Sequence, residues 1–190
     1  YFDDVITADL ATAVSVTAPN PTPNIDAGLA VGGVISGEVT EEASGDPLGD
    51  VGICAENDDG TVYRCSYTSD GSYEIGGLAS GSYTVSFSSS DDRFLREYFD
   101  GVFDEESATP VAVTAPNTTP NIDASLKLGG LITGTVTDEV THDPLEDIQV
   151  CAETDSSDFQ QCGYTDSDGE YTIIPLVTGS HTVEFYDWSG

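Results

Sequence analysis

From Ser82 to Ser88 the chain reads Ser-Tyr-Thr-Val-Ser-Phe-Ser. In an extended backbone this puts Tyr83, Val85 and Phe87 on one face and the small polar residues on the other, the mark of a half-buried strand. Other short segments rich in Val, Ile, Thr, Tyr and Phe recur along the chain. They are separated by Gly45-Asp46-Pro47, Asp58-Asp59-Gly60, Ser69-Asp70-Gly71, Ala79-Ser80-Gly81 and Pro116-Asn117. Those residues make turns because they supply a positive φ, a fixed φ or a side-chain bond to the backbone. The pattern predicts strands over 33–40, 51–57, 61–67, 72–75, 82–88, 109–114 and 121–128. No window carries a sustained 3.6-residue period. Asp91–Tyr98 comes nearest and is expected to form one helical turn or an edge strand. Seven strands in about a hundred residues suit an all-β sandwich.

The pattern occurs more than once. Residues 1–40 (YFDDVITADLATAVSVTAPNPTPNIDAGLAVGGVISGEVT) and 98–137 (YFDGVFDEESATPVAVTAPNTTPNIDASLKLGGLITGTVT) are identical at 25 of 40 positions, at an offset of 97. The same offset carries Asp46-Pro47-Leu48 onto Asp143-Pro144-Leu145, Cys54 onto Cys151 and Cys65 onto Cys162. One residue is inserted near Asp166–Asp168, so Gly81–Val85 falls on Gly179–Val183 at an offset of 98. Such self-similarity means tandem copies of one unit. The expected organisation is the last two strands of a repeat in 1–30, a complete repeat in 31–128 and the first five strands of the next in 129–190.

The order of motifs resembles the transthyretin-like (prealbumin-like), carboxypeptidase regulatory-like sandwich. Gly37-Glu38-Val39-Thr40, Asp46-Pro47-Leu48, Ser69-Asp70-Gly71-Ser72-Tyr73, Leu78 and Gly81–Phe87 carry the resemblance, which spans the whole repeat. It implies modules strung along secreted and surface proteins as spacers, stalks or accessory domains. These motifs are glycines and core positions, so they speak to fold rather than function. The hydrolase branch of the family uses a His and Arg constellation, which this chain lacks.

In that sandwich the last two strands complete one of the two sheets. Without them Val136, Ile148, Val150, Ile173, Val183 and Phe185 are expected to be partly bare, an unusual surface for a stable soluble monomer. Residues 1–30 alone cannot hold a hairpin, since an isolated one is marginal in water. Two organisations accommodate this: an excerpt of a longer array whose flanking repeats supply the strands, or a subunit whose N-terminal strands, Thr12–Thr17 and Asn24–Val31, complete the neighbour's open domain. Either gives a linear string of sandwiches, stiff because only Gly129-Gly130 separates adjoining units. The absence of methionine, even at position 1, likewise reads as a processed or excerpted chain.

Charge narrows the partners. Four Lys and Arg stand against 35 Asp and Glu, for a formal net charge of −31. Nucleic acid and anionic membranes require clustered cations and are not expected partners. No apolar run approaches the length of a membrane-spanning helix. The acidity is compatible with a salty habitat, loose cation binding or solubility alone.

Candidate sites are few. Cys54 and Cys65 are symmetric about Asp59-Gly60, a two-residue hairpin signal that sets them opposite each other. Cys151 and Cys162 repeat the spacing. Two local disulfides in an oxidising, extracellular place are expected, although Arg64 would then share a face with Ala55. Asp166, Asp168 and Glu170 resemble part of a Ca2+ loop but miss the EF-hand spacing, and a solvated turn is the plainer reading. Asn117-Thr118-Thr119 is a glycosylation sequon on a predicted turn. His142 replaces Gly45 at a turn and His181 replaces Tyr83 at a core position, so neither is matched in the other copy. No nucleophile motif or predicted cleft supports catalysis, and no enzyme is expected. The leading expectation is a structural component of an extracellular filament or stalk whose partners are copies of itself, head to tail. The alternative is an adhesin or glycan-binding accessory module, for which Tyr63, Tyr67, Phe159, Tyr164 and Trp188 are the candidate exposed aromatics.

Overall fold

The computed structural model describes residues 11–154 and 159–188. Two antiparallel-rich sheets form the first sandwich. One contains β1 (Gly33–Glu41) paired with β4 (Ser72–Leu78). The other runs β3 (Tyr63–Tyr67), β2 (Val51–Asn57), β5 (Gly81–Ser89) and β6 (Glu97–Tyr98). Inward residues of both sheets interdigitate: Ile35, Val39, Val51, Ile53, Tyr73, Ile75, Leu78, Tyr83, Val85 and Phe87 are buried. Their alternation with polar neighbours is what makes these segments strands rather than helices.

The sandwich is closed by one stretch of chain that serves both sheets. β7 (Val111–Val113) runs along the edge of β5, with Tyr83 opposite Val111 and Gly81 opposite Val113. After a turn at 114–117 the chain crosses to the other sheet. There β8 (Thr118–Thr119) and β9 (Ala124–Leu126) lie parallel to β1. The expected strand over 121–128 is therefore shortened. Pro120 has no N–H to donate and Asn121 sits at φ +62°, so the extended run breaks between β8 and β9. The helix-or-edge segment resolves as an edge: Glu97–Tyr98 pairs with β5, and Phe94 bridges to Leu128.

The second set of strands repeats the first five. β10 (Gly130–Thr135) pairs with β13 (Glu170–Leu176), and β12 (Gln160–Tyr164), β11 (Gln149–Thr154) and β14 (His181–Tyr186) form the facing sheet. Registers correspond: Ile35 opposes Ile75, and Ile132 opposes Ile173. Small devices correspond too. Thr68 Oγ1 accepts from Val51 N (3.1 Å) and donates to Leu48 O (2.7 Å); Thr165 Oγ1 accepts from Ile148 N (2.9 Å) and donates to Leu145 O (2.7 Å). Gly71 and Gly169 hold the same turn at φ +88° and +72°, a conformation that L side chains rarely adopt.

Among the described residues no strand lies on the second edge of β10 or of β14. Of the side chains expected to be bare, Val136 and Val183 are half-buried and Phe185 is exposed. Ile148, Val150 and Ile173 are buried, because β11 and β13 face each other directly and cover them without further strands.

Candidate interaction surface

In the first sandwich the closing segment is held by specific bonds as well as apolar contact. Tyr73 Oη donates to Ile122 O at 2.5 Å, and burial pushes the Tyr73 hydroxyl above its ordinary pKa. Glu38 N donates to Asp123 Oδ1 at 2.8 Å, Val34 N to Asn117 O at 3.1 Å and Ile122 N to Ser36 O at 3.1 Å. Gly37 makes room for this crossing: a Cβ there would collide with the Ile122 carbonyl. Val111, Val113, Ile122 and Leu126 are all buried in consequence. Each such side chain contributes roughly 1.5–3 kcal/mol when fully buried.

The second sandwich has the same seat without an occupant among the described residues. Phe185 is 53% exposed where Phe87 is 0%. Tyr171 keeps the edge-to-face contact of Tyr73, 5.9 Å and 80° to Phe185 against 6.0 Å and 79° to Phe87. Its hydroxyl, however, leans over Gly134, the counterpart of Gly37, into the region that the Ile122 backbone fills in the first copy.

Residues 11–32 carry the closing sequence but lie mostly exposed; Gly32 packs on Gly77 and Leu78, as Gly129 packs on Pro175 and Leu176. The strands expected over Thr12–Thr17 and Asn24–Val31 are not formed; the segment is extended, with one turn at 18–20. Strands need a partner for their backbone groups, and among the described residues none pairs with this segment. Val16 is 75% exposed where Val113 is 3%, and Leu29 is 93% exposed where Leu126 is 0%. The local conformation nevertheless matches that of the seated segment. Asn20 N donates to Thr17 O at 2.9 Å, as Asn117 N does to Thr114 O at 2.8 Å. Thr22 Oγ1 donates to Ser15 O (3.4 Å), as Thr119 Oγ1 does to Ala112 O (3.1 Å). Asn24 has φ +64° and Asn121 +62°, and the Ala18–Pro19 and Ala115–Pro116 bonds are both cis.

The chain leaving the first sandwich is tied to it. Leu95 N donates to Lys127 O (2.9 Å) and Gly129 N to Arg93 O (2.8 Å). The buried Glu97 accepts from Lys127 N through Oε1 (2.9 Å), while its Oε2 has no partner among the described residues. Burial raises the Glu97 pKa; the Lys127 amide and ammonium oppose the rise, and Glu42 adds to it.

The remaining candidates fall as follows. Cys54 is bonded to Cys65 and Cys151 to Cys162, each pair directly opposed across a hairpin. The first hairpin loop spans 58–61 rather than two residues. Asn57 pairs with Val62 through main chain and side chain, which keeps the same centre of symmetry and hence the cysteine register. Arg64 does oppose the buried Ala55, but β3 is the outermost strand of its sheet and Arg64 reaches solvent. The second hairpin's loop, 155–158, lies outside the described residues, as do 1–10.

Asp166 Oδ1 accepts from the amides of Asp168 and Glu170, both at 2.9 Å, which shapes a turn. No group of three or more metal-ligating side chains converges among the described residues. Asn117 is exposed on its turn. His142 takes φ +62° in place of Gly45. His181 Nε2 bonds Val177 O (2.9 Å), as Tyr83 Oη bonds Ala79 O (2.9 Å), a structural substitution. Of the five aromatics, Phe159 packs on the second core, whereas Tyr63, Tyr67, Tyr164 and Trp188 are exposed. Sequence reasoning missed the Thr68 and Thr165 bonds; their signal was a threonine at the same place in each copy.

Two facing sheets, a closing segment and a disulfide-stapled hairpin define a prealbumin-like β-sandwich module, present here once whole and once as five strands. A profile of the carboxypeptidase regulatory-like domain matches residues 34–127 and again 131–187, and the chain belongs to that family. It is a regulatory-like β-sandwich family rather than a catalytic one. Among solved structures, the chain is similar to the TIE protein of Bacillus anthracis at 17% identity and a TM-score of 0.38, over 83% of this chain and 28% of that one. It is similar to a streptococcal ancillary pilin at 13% identity and 0.42, over 82% and 54%, and to a DUF3823 family protein of Bacteroides uniformis at 15% and 0.38, over 85% and 92%. The chain thus spans under two thirds of the length of the first two. Comparison with curated proteins returns no match. The two disulfides fit an oxidising, extracellular or surface setting, and no helix among the described residues is long and apolar enough to cross a membrane.

Proposed function

We propose that the chain is a structural segment of an extracellular filament or surface stalk, a head-to-tail string of β-sandwiches joined by strand donation. It carries no catalytic role in this reading. One observation carries the reading: a complete sandwich passes into the next copy of its own strands across only Gly129-Gly130, and the chain leaving the first sandwich is tied to it by the hydrogen bonds of Leu95 and Gly129. Short junctions between like units produce extended, stiff arrays, because each unit contacts only its neighbours. Staples within each hairpin stabilise small units by roughly 2–4 kcal/mol apiece, which suits a string exposed to the outside.

Electron microscopy of the concentrated full chain tests the reading. Unbranched filaments or rods with an axial repeat of one or two sandwiches are expected. Discrete compact particles at every concentration and salt level would defeat it.

A further inference from the structure

We infer that the outer face of the sheet formed by β12, β11 and β14 is a binding platform for a neutral glycan, built around Gln149 by Tyr164, Tyr186 and Trp188. The inference goes beyond the filament reading and does not depend on it.

Strand register assembles the platform. Gln149 of β11 is directly opposed by Tyr164 on one side and by Tyr186 on the other. Val150 and Ala152 point into the core, so the alternation of β11 turns Gln149 outward, and directly opposed residues share its face. Tyr164 and Tyr186 thus stand two strand spacings apart, roughly 10 Å. Trp188 lies against the same row. Its ring is 6.0 Å from that of Tyr186 at an interplanar angle of 18°, and its Nε1 donates to Gln149 Oε1 at 3.1 Å. All three rings are exposed. The next row on this face is the Cys151–Cys162 disulfide, which ties β11 to β12 and sets the spacing before any ligand arrives.

The first sandwich shows that the fold does not need this arrangement. Gly52, Ser88 and Ser90 stand where Gln149, Tyr186 and Trp188 do, and Tyr67, the counterpart of Tyr164, lies across Gly52. The two cores are built alike, so the three larger residues serve the surface rather than the packing. Exposed aromatics gathered on one face of one copy mark a contact site.

Chemistry selects the class of ligand. A sugar ring has an apolar C–H face and a rim of hydroxyls. Flat aromatic rings take the C–H face by dispersion and by the release of water. The hydroxyls need donors and acceptors close by. With Oε1 taken by Trp188, the Gln149 amide nitrogen is left to donate. Glu184, which accepts from the Tyr186 hydroxyl, and Glu153 supply acceptors on the same face. The four cations of the chain, Arg64, Arg93, Arg96 and Lys127, all precede the second sandwich. Acidic polysaccharides therefore meet repulsion there, and neutral ones do not. Three rings and an amide are few beside the roughly 20–30 residues that each side of a stable protein interface contributes.

Trp188 is the only tryptophan of the chain, so its fluorescence reports on the platform alone. The full chain is titrated with neutral hexasaccharides of glucose, mannose and galactose in both anomeric linkages, with hexagalacturonate, and with an oligolysine peptide. At least one neutral hexasaccharide is expected to move the emission to shorter wavelength in a saturable way, and hexagalacturonate to leave it unchanged. Y164A and Q149A are each expected to weaken that saccharide several-fold, with melting of the chain unaffected. Y67A, the same change at the corresponding place on the first sandwich, is expected to leave the affinity as it was. No saturable shift with any neutral hexasaccharide, an equal response to hexagalacturonate, or equal losses from Y67A and Y164A would overturn the inference. A shift with oligolysine alone would likewise overturn it and assign the face to a basic protein. Saccharide binding by a chain that forms no filaments would leave the platform standing and remove only the filament reading.

Discussion

Glu97 is buried with one carboxylate oxygen bonded to Lys127 N and the other without a partner among the described residues. Burial raises its pKa above the ordinary 4.5, so the folded chain binds this proton more tightly than the unfolded chain does. The ionised group therefore costs stability at neutral pH, and the cost lifts as pH falls through the raised pKa. E97Q keeps the acceptor for Lys127 N and removes the charge. Its melting temperature is expected to exceed that of the parent most at pH 7–8, with the gap narrowing toward pH 5; thermal scans showing a constant gap would refute this. Nothing in the sequence marked Glu97, since burial at an edge strand depends on where Lys127 returns from thirty residues away. The cysteine pairing was legible, because hairpin symmetry about Asp59-Gly60 survives a longer loop.

At the scale of elements, the alternating segments were readable because each strand buries one face, and a period of two leaves a direct trace in sequence. The closing strands were less so. Their extent depends on an edge to pair with, so one sequence forms β7, β8 and β9 where edges of β5 and β1 are present and forms no strand at 11–32. Leu126 and Leu29 separate these roles. L126A removes a fully buried side chain and is expected to destabilise the first sandwich by about 2–5 kcal/mol in denaturant titrations. L29A, at an exposed position, is expected to leave that transition within about 0.5 kcal/mol of the parent. Comparable losses from both would mean that residues 11–32 contribute to folding within their own chain.

For the whole molecule the dominant fact is 35 carboxylates against four cations. The ion pairs among the described residues are few: Arg93 with Asp91 at 2.6 Å, and Lys127 with Glu42 at 3.7 Å and Glu97 at 4.0 Å. Most of the charge is thus unpaired repulsion, which screens over about 8 Å at physiological ionic strength and less in brine. The melting temperature is expected to climb with added NaCl or CaCl2, and a flat titration would show the charges to be already well separated. The open edges of β10 and β14 have a further consequence. Their unpaired N–H and C=O groups can take up an added extended chain, and the first sandwich shows which sequence fits. A synthetic peptide spanning 108–129 is therefore expected to raise the melting temperature of the second sandwich, and the same peptide carrying L126D to leave it unchanged.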